Sequence, residues 1–326
     1  MGYSVSVDSG GSKTIAILYD ADYRIVSQVR TGSLRDNCTS PALIAKHLDE
    51  MVSGLFDGLE PGRVKALDCV CGSLGSGETL KVISERVPVL GESFGGEGSL
   101  GMAAVGRTEG IVALAGTGAS MILESEKYGH RAFGGYGAVV FDEGSGYHIG
   151  RMGFAAAIRY HEGRGEPTQL LERIIRYLGG DTLPQGVFGT LYNPDGPMSP
   201  VGWVASVCRV VAEAAVDGDR VAQEIMRTAG NCLGTQMNAL IRRHGIDESL
   251  PIALSGSVYK GSRIVYDEFC RVVREENPVR EILIPWVEPV VGAILLDYLR
   301  HHGSIDERMK QFFLEEYRDY RYHLGK

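Results

Sequence analysis

Twice in this chain, about a hundred residues apart, a strand-like run breaks on a short glycine-rich turn and resumes as a second strand. The first copy runs Ser4-Val5-Ser6-Val7-Asp8, turns through Ser9-Gly10-Gly11-Ser12-Lys13-Thr14, and continues as Ile15-Ala16-Ile17-Leu18-Tyr19. The second runs Ile111-Val112-Ala113-Leu114-Ala115, turns at Gly116-Thr117-Gly118, and resumes over residues 120–123. Gly and Ser permit the tight backbone of a hairpin. Successive N–H groups in such a turn form an anion-binding nest, to which Ser12, Lys13 and Thr14 add donors and a positive charge. Asp8, at the strand end, is placed to hold magnesium through water. The repeat predicts a duplicated fold whose two hairpins close on one set of phosphates, although many Asp-Gly-Gly turns join strands and do nothing else.

Two commoner phosphate motifs are excluded. A Walker P-loop needs Gly-Lys-Ser/Thr and then a helix, whereas here Ser12 precedes Lys13 and a strand follows. A dinucleotide fingerprint needs G-x-G-x-x-G opening a helix inside a βαβ crossover, and the first connections here are hairpins.

The chain has 326 residues, which points to two domains. Their expected bounds are 1–115 and 116–300, with helical insertions in the second and a helical tail over 301–326. A formal net charge of −8 and the absence of a dense Lys/Arg run argue against nucleic acid and a polybasic membrane patch as partners. No apolar run approaches the ~20 residues of a membrane span, and the N-terminus goes straight into a strand, so the cytoplasm is the expected location. The six cysteines are Cys38, Cys69, Cys71, Cys208, Cys232 and Cys270. They lack zinc spacing and are expected to be buried free thiols.

Read in order, the first half gives strands at 4–8, 15–19 and 24–29, a helix over 41–59 and a strand over 64–71. A helix at 78–86, a strand at 87–91 and a small-residue helix at 97–105 follow. The second half is largely helical (153–160, 168–178, 201–216 and 221–244) until a strand at 251–255 enters Gly256-Ser257-Val258. Helices at 262–275 and 290–300 follow. Met309, Phe312, Phe313, Tyr317 and Tyr320 form an apolar stripe expected to pack on the body.

Between the halves lies Gly134-Gly135-Tyr136-Gly137, followed by Asp142-Glu143-Gly144-Ser145-Gly146. Adjacent carboxylates repel unless a cation or hydrogen-bond donor lies near, so a ligand hydroxyl or hydrated magnesium is one physical reason for Asp142 and Glu143. A helix N-terminus, where acidic residues cap amides, is the other.

Taken together, Asp8 to Thr14, Gly116-Thr117-Gly118, Gly134 to Gly137 with Asp142 to Gly146, and Leu254-Ser255-Gly256-Ser257-Val258 form a series. It resembles the N-acetylglucosamine kinase and BadF/BadG/BcrA/BcrD ATPase family of the actin-like, sugar-kinase and Hsp70 superfamily, over residues 2 to about 300. The resemblance implies an α/β fold of two RNase H-like domains with mixed five-stranded sheets around a hinged cleft, and a homodimer. It implies ATP at Gly10, Gly11, Ser12, Lys13 and Thr14, at Gly116, Thr117 and Gly118, and at Gly256, Ser257 and Val258, with Mg2+ near Asp8. It also implies an amino sugar against Asn37, Gly135, Tyr136, Asp142 and Glu143, phosphorylated at its 6-hydroxyl.

One departure stands out. Sugar kinases of the family place an Asp about twenty residues before the second phosphate loop as the base for the accepting hydroxyl, and here that count lands on Glu97, with Glu92 a second candidate. Glu is competent to accept a proton. Its extra methylene shifts the carboxylate by about 1 Å, a displacement that can cost about a hundredfold in rate. Relatives of the same family imply another output, an ATPase that activates a 2-hydroxyacyl-CoA dehydratase or reductase through an iron–sulfur cluster; the Asp-to-Glu change also leaves open a non-catalytic ATP-binding regulator.

Overall fold

A computed structural model describes residues 2–11, 13–36, 39–193, 196 and 198–325. Strand β1 (Tyr3–Ser9) pairs antiparallel with β2 (Thr14–Asp20), with Asp8 opposite Ile15 and Ser9 opposite Thr14. β3 (Ile25–Thr31) adds antiparallel to β2. Helix α1 (Pro41–Phe56) starts on the Ser40 side chain, with proline in its first turn, where a missing N–H costs nothing. β4 (Cys69–Ser73) then lies parallel to β1, α2 (Glu78–Arg86) follows, and β5 (Glu92–Phe94) lies parallel to β4. Helix α3 (Glu97–Ala103) ends this run. The sheet order is β3-β2-β1-β4-β5.

The second sheet repeats that order. β6 (Gly110–Ala115), β7 (Ala119–Glu124) and β8 (Arg131–Gly134) take the places of β1, β2 and β3. A helical block follows: α4 (Gly146–His161), α5 (Leu170–Leu178), α6 (Leu183–Thr190), α7 (Pro200–Val216) and α8 (Arg220–His244). β9 (Ile252–Ser255) then pairs parallel with β6, and α9 (Ser257–Gly261) and α10 (Arg263–Glu276) lead to β10 (Ile282–Leu283), parallel to β9. The order β10-β9-β6-β7-β8 matches β5-β4-β1-β2-β3 position for position. The chain closes with α11 (Pro289–His302) and α12 (Glu307–Glu316).

These elements form two compact units, one of residues 1–110 with 284–322 and one of residues 111–283 with 323–326. The expected block 116–300 therefore divides at Leu283, because α11 belongs to the N-terminal unit. Alternation along β2 explains why. Ala16 and Leu18 join a core with α1 and α2, while Ile15, Ile17 and Tyr19 face a second core built from α3, α11 and α12. A mixed sheet with apolar residues on both faces must be covered twice, and the return of the chain supplies the second cover. Ser6, on that same face, donates its hydroxyl to the Val290 carbonyl at 2.6 Å.

The tail stripe is anchored in this second core. Phe313 and Tyr317 are fully buried there, and the Tyr317 hydroxyl donates to the Tyr23 carbonyl at 2.8 Å. Tyr317→Phe keeps the ring and removes the donor, so it should lower stability by about 1 kcal/mol in urea titration. An unchanged midpoint would mean that the tail docks through apolar contact alone.

Of the described cysteines, Cys71 and Cys270 are buried and Cys69, Cys208 and Cys232 are half-buried, all as free thiols, so the expected full burial holds for two; Cys38 lies outside the described residues. No helix among the described residues is long and apolar enough to cross a membrane.

Candidate active site

Each unit gathers its own cluster of polar groups around its glycine hairpin. In the N-terminal unit the turn between β1 and β2 closes with Gly10 N–H donating to the Lys13 carbonyl at 2.8 Å. Below it, the Ser9 and Thr14 hydroxyls share a hydrogen bond of 2.8 Å. Thr14 is thus fully buried and its hydroxyl spent on the hairpin, while Gly10, Gly11 and Lys13 are partly exposed at the tip. Ser12 lies outside the described residues.

Asp8, at the end of β1, is raised from 3.8 to about 6. Burial is the main cause; Lys13 and Arg35 pull it down, and Glu97 and Glu288 push it up. Its side chain keeps some solvent access, so the burial is that of a group at the rim of a site. A buried carboxylate at the rim of a site, with two further carboxylates acting on it, is a suitable outer-sphere partner for a hydrated divalent cation.

Glu97 occupies the first turn of α3 and accepts a 2.8 Å hydrogen bond on Oε1 from Arg35 Nη2. Arg35 also donates through Nε to the Ser9 carbonyl at 2.8 Å, so one guanidinium ties the end of β1 to the first turn of α3. Sequence reading missed Arg35 because it sits in a polar loop without periodicity; only the fold places it between Asp8 and Glu97. Glu92, the second candidate base, lies exposed on β5.

In the C-terminal unit, Gly116 N–H donates to the Gly118 carbonyl at 2.9 Å and closes the second turn. The first amides of α4 hold it from behind: Gly146 N–H reaches the Gly116 carbonyl at 2.7 Å, and Tyr147 N–H reaches that of Thr117 at 3.2 Å. Ser145 caps the helix by accepting from His148 N–H. Asp142 is buried beside this turn, with Oδ2 2.6 Å from where a Cβ on Gly118 would stand and Oδ1 accepting from Gly137 N–H at 3.2 Å. Burial pushes its carboxyl up, while backbone N–H groups from Gly137, Ala119, Gly135 and Tyr136 hold it down. It is also one of two non-glycine residues with positive φ among those described, at 72°. Such backbone strain is stored where surroundings over-determine a residue, commonly at functional sites.

The helix-capping reading of the Asp142-Glu143 pair does not hold, because Ser145 is the N-cap of α4 and its first turn carries no acidic residue. Asp142 turns inward onto the glycine turn, whereas Glu143 is exposed and its carbonyl accepts from Gln236. Gly135 and Tyr136 are exposed on the same loop, Tyr136 at 73%. Asn37 lies outside the described residues.

Gly256 joins β9 to α9 with φ of 100°, and a Cβ there would stand 2.2 Å from the Ala115 carbonyl oxygen. The third glycine turn thus presses on the base of the second; beyond it Ser257 is exposed and Val258 buried. Gly256→Ala is expected to cost about 1–3 kcal/mol of stability and to raise the KM for ATP. Unchanged values for both in a thermal melt and a kinetic assay would remove the close approach from the account.

Two sheets of one strand order, each with a glycine turn between its first two strands and carboxylates at the turn, define the RNase H-like fold of the actin-like ATPases. Solved structures agree on the fold. A candidate N-acetylglucosamine kinase from Chromobacterium violaceum superposes with a TM-score of 0.66 at 21% identity, covering 91% of this chain and 99% of that one. A ROK family glucokinase from Streptomyces griseus, solved with glucose and AMPPNP, superposes with a TM-score of 0.55 at 16% identity over 92% of this chain and 100% of that one. Among characterised sequences, the N-acetylmuramic acid/N-acetylglucosamine kinase of Clostridium acetobutylicum is 26% identical over 91% of this chain and 98% of its own length. The chain belongs to the BadF/BadG/BcrA/BcrD ATPase family, which it matches over residues 5–296.

Proposed function

We propose that this protein is an ATP-dependent kinase of an amino sugar of the N-acetylglucosamine type, acting on the 6-hydroxyl. The observation that carries this reading is the match, over nearly the whole of both chains, to a kinase named for N-acetylmuramic acid and N-acetylglucosamine. What supports the residue roles is the pair of clusters described above. Phosphoryl transfer asks a protein for positioning and for charge stabilisation. The amides of Gly11 and Gly118 and the Lys13 ammonium meet the phosphates; Gly10 and Gly116, whose N–H groups close their turns, and Thr14 shape the two loops, and the Ser12 and Thr117 hydroxyls add donors. Gly256, Ser257 and Val258 form the wall on the adenosine side. Asp8 holds hydrated Mg2+, which supplies charge neutralisation on the phosphate oxygens when bound.

On the acceptor side, Asn37, Gly135, Tyr136, Asp142 and Glu143 receive the sugar. Asp142, fixed in place by backbone donors, positions the loop on which the sugar is received, and the exposed Tyr136 ring offers a face for the hexose. Glu97 takes the proton of the attacked hydroxyl, with Arg35 holding its other oxygen in place. The enzyme works in the cytoplasm as a homodimer. Phosphorus NMR of the reaction product tests the assignment: a phosphate coupled to the two C6 protons is expected, and a phosphate on the anomeric oxygen would overturn the choice of hydroxyl.

A further inference from the structure

Away from these residues, the C-terminal unit has a groove of about 950 Å3 between α4 and α8, lined also by the loop that follows α4. Its lining follows from helical spacing. Arg151, Ala155 and Arg159 stand four apart on α4, and Arg220, Glu224, Arg227 and Thr228 repeat at three and four on α8, so each helix turns one face to the groove. Arg164 comes from the loop, where Gly165 runs so close that a Cβ on it would lie 2.8 Å from the Arg159 Cβ. Five arginines therefore meet two glutamates, Glu166 and Glu224, in a protein whose formal net charge is −8.

Two of the five are already matched, Arg164 by Glu162 and Arg227 by Glu224 at 2.8 Å. Arg151, Arg159 and Arg220 form no ion pair among the described residues. Like charges gathered on two facing helices repel; Arg159 gains from the dipole at the C-terminal turn of α4, but Arg151, early in α4, and Arg220, the first residue of α8, have no such support. The floor is small and apolar, made by Met152, Ala155, Ala156, Val221 and Ile225. The alanines leave the room, and a volume of this size suits a small organic molecule.

We propose that this groove binds a small organic anion bearing two or more negative charges, with Arg151, Arg159 and Arg220 as its partners and the α4–α8 floor against its carbon skeleton. The planar guanidinium fork matches carboxylate and phosphate oxygens alike. The site also has a route to the ATP turn, because α4 carries Arg151 and Arg159 on one face and holds the Gly116 and Thr117 carbonyls by its first amides. Occupancy is thus expected to change the KM for ATP. Binding goes beyond the amino-sugar reading and is read directly without it, whereas the effect on the KM for ATP rests on that reading.

The test is calorimetric titration of the full chain, with a non-hydrolysable ATP analogue present in excess to occupy the nucleotide site. Two probes separate the anion chemistries: citrate for carboxylates and fructose 1,6-bisphosphate for phosphates. The expected result is saturable binding of at least one probe, with one site per chain, weakened about tenfold or more in Arg151→Glu/Arg220→Glu. Arg220 is the first residue of α8, where an acidic side chain favours the helix dipole, so Arg220→Glu alone provides a variant that keeps its fold. Both variants should keep the wild-type KM for ATP in the absence of probe. Failure of both probes to bind, or equal affinity in wild type and variants, would overturn the proposal.

Discussion

Asp8→Asn is expected to lower turnover by about a thousandfold or more while making the protein, free of ligands, more stable at pH 8. Both effects come from one property. Burial raises the Asp8 carboxyl from 3.8 to about 6, so the folded protein holds this proton more tightly than the unfolded chain does. The stability this group contributes is therefore complete below 3.8 and is lost as pH rises through about 6. Above that, the fold carries an ionised carboxylate in the company of Glu97 and Glu288. Asparagine removes this charge and should raise stability by up to about 3 kcal/mol, less for the solvent that still reaches the group. The same charge would hold the hydrated cation that neutralises the phosphate oxygens, so its loss removes stabilisation of the transition state. In the wild type, kcat/KM should fall on the acid side of about pH 6 as Asp8 takes up a proton. Near-normal turnover in the variant, or greater instability at pH 8, would contradict the role.

The second large effect concerns Glu97. Glu97→Gln should cut kcat by about a hundredfold to a thousandfold and leave the KM for ATP within about twofold. The amide oxygen of glutamine still accepts from Arg35 Nη2, which now reaches Glu97 at 2.8 Å, so the side chain stays in place and only its basicity goes. Position and proton transfer are thereby separated. Arg35→Ala does the reverse, freeing the Glu97 carboxylate and also losing the contact to the Ser9 carbonyl. A Gln variant with full turnover, measured in a single-turnover assay, would remove Glu97 as the base and turn attention to Glu92.

The fold was legible in the chain to the extent that backbone period and side-chain character agreed. The two hairpins were, because Val5, Val7, Ile17 and Ile111 to Ala115 sit in runs that only a strand buries. Other elements were hidden for physical reasons. Helix α4 begins at Gly146, several residues before the expected start, because Gly146, Gly150 and Gly153 disguise its first turns. They are there for packing: a Cβ on Gly150 would lie 1.8 Å from the Val204 carbonyl oxygen of α7. β8 was missed because Arg131 and Ala132 are exposed on an edge strand of four residues. The strand expected over 87–91 reaches the sheet only as a single bridge between Leu67 and Val89, and the pairing that counts is β5, at Glu92–Phe94.

The candidate site divides similarly. Glycine turns and paired carboxylates announce themselves, since few structural needs explain them. The inward turn of Asp142 with its left-handed backbone, and the link from Arg35 to Glu97, depend on contacts between distant segments and leave no local pattern. The same holds for α11. Its apolar period showed that it packs, but only the two-faced burial of β2 shows against which sheet.

The most direct test of the whole account is a coupled assay of ADP release from MgATP across a panel of hexoses and amino sugars, run on protein purified without oxygen. The account predicts a colourless protein whose ADP release depends on an N-acetylated amino sugar and falls to background when the sugar is omitted. Steady hydrolysis that ignores every sugar, in a brown protein with an iron–sulfur spectrum, would contradict it.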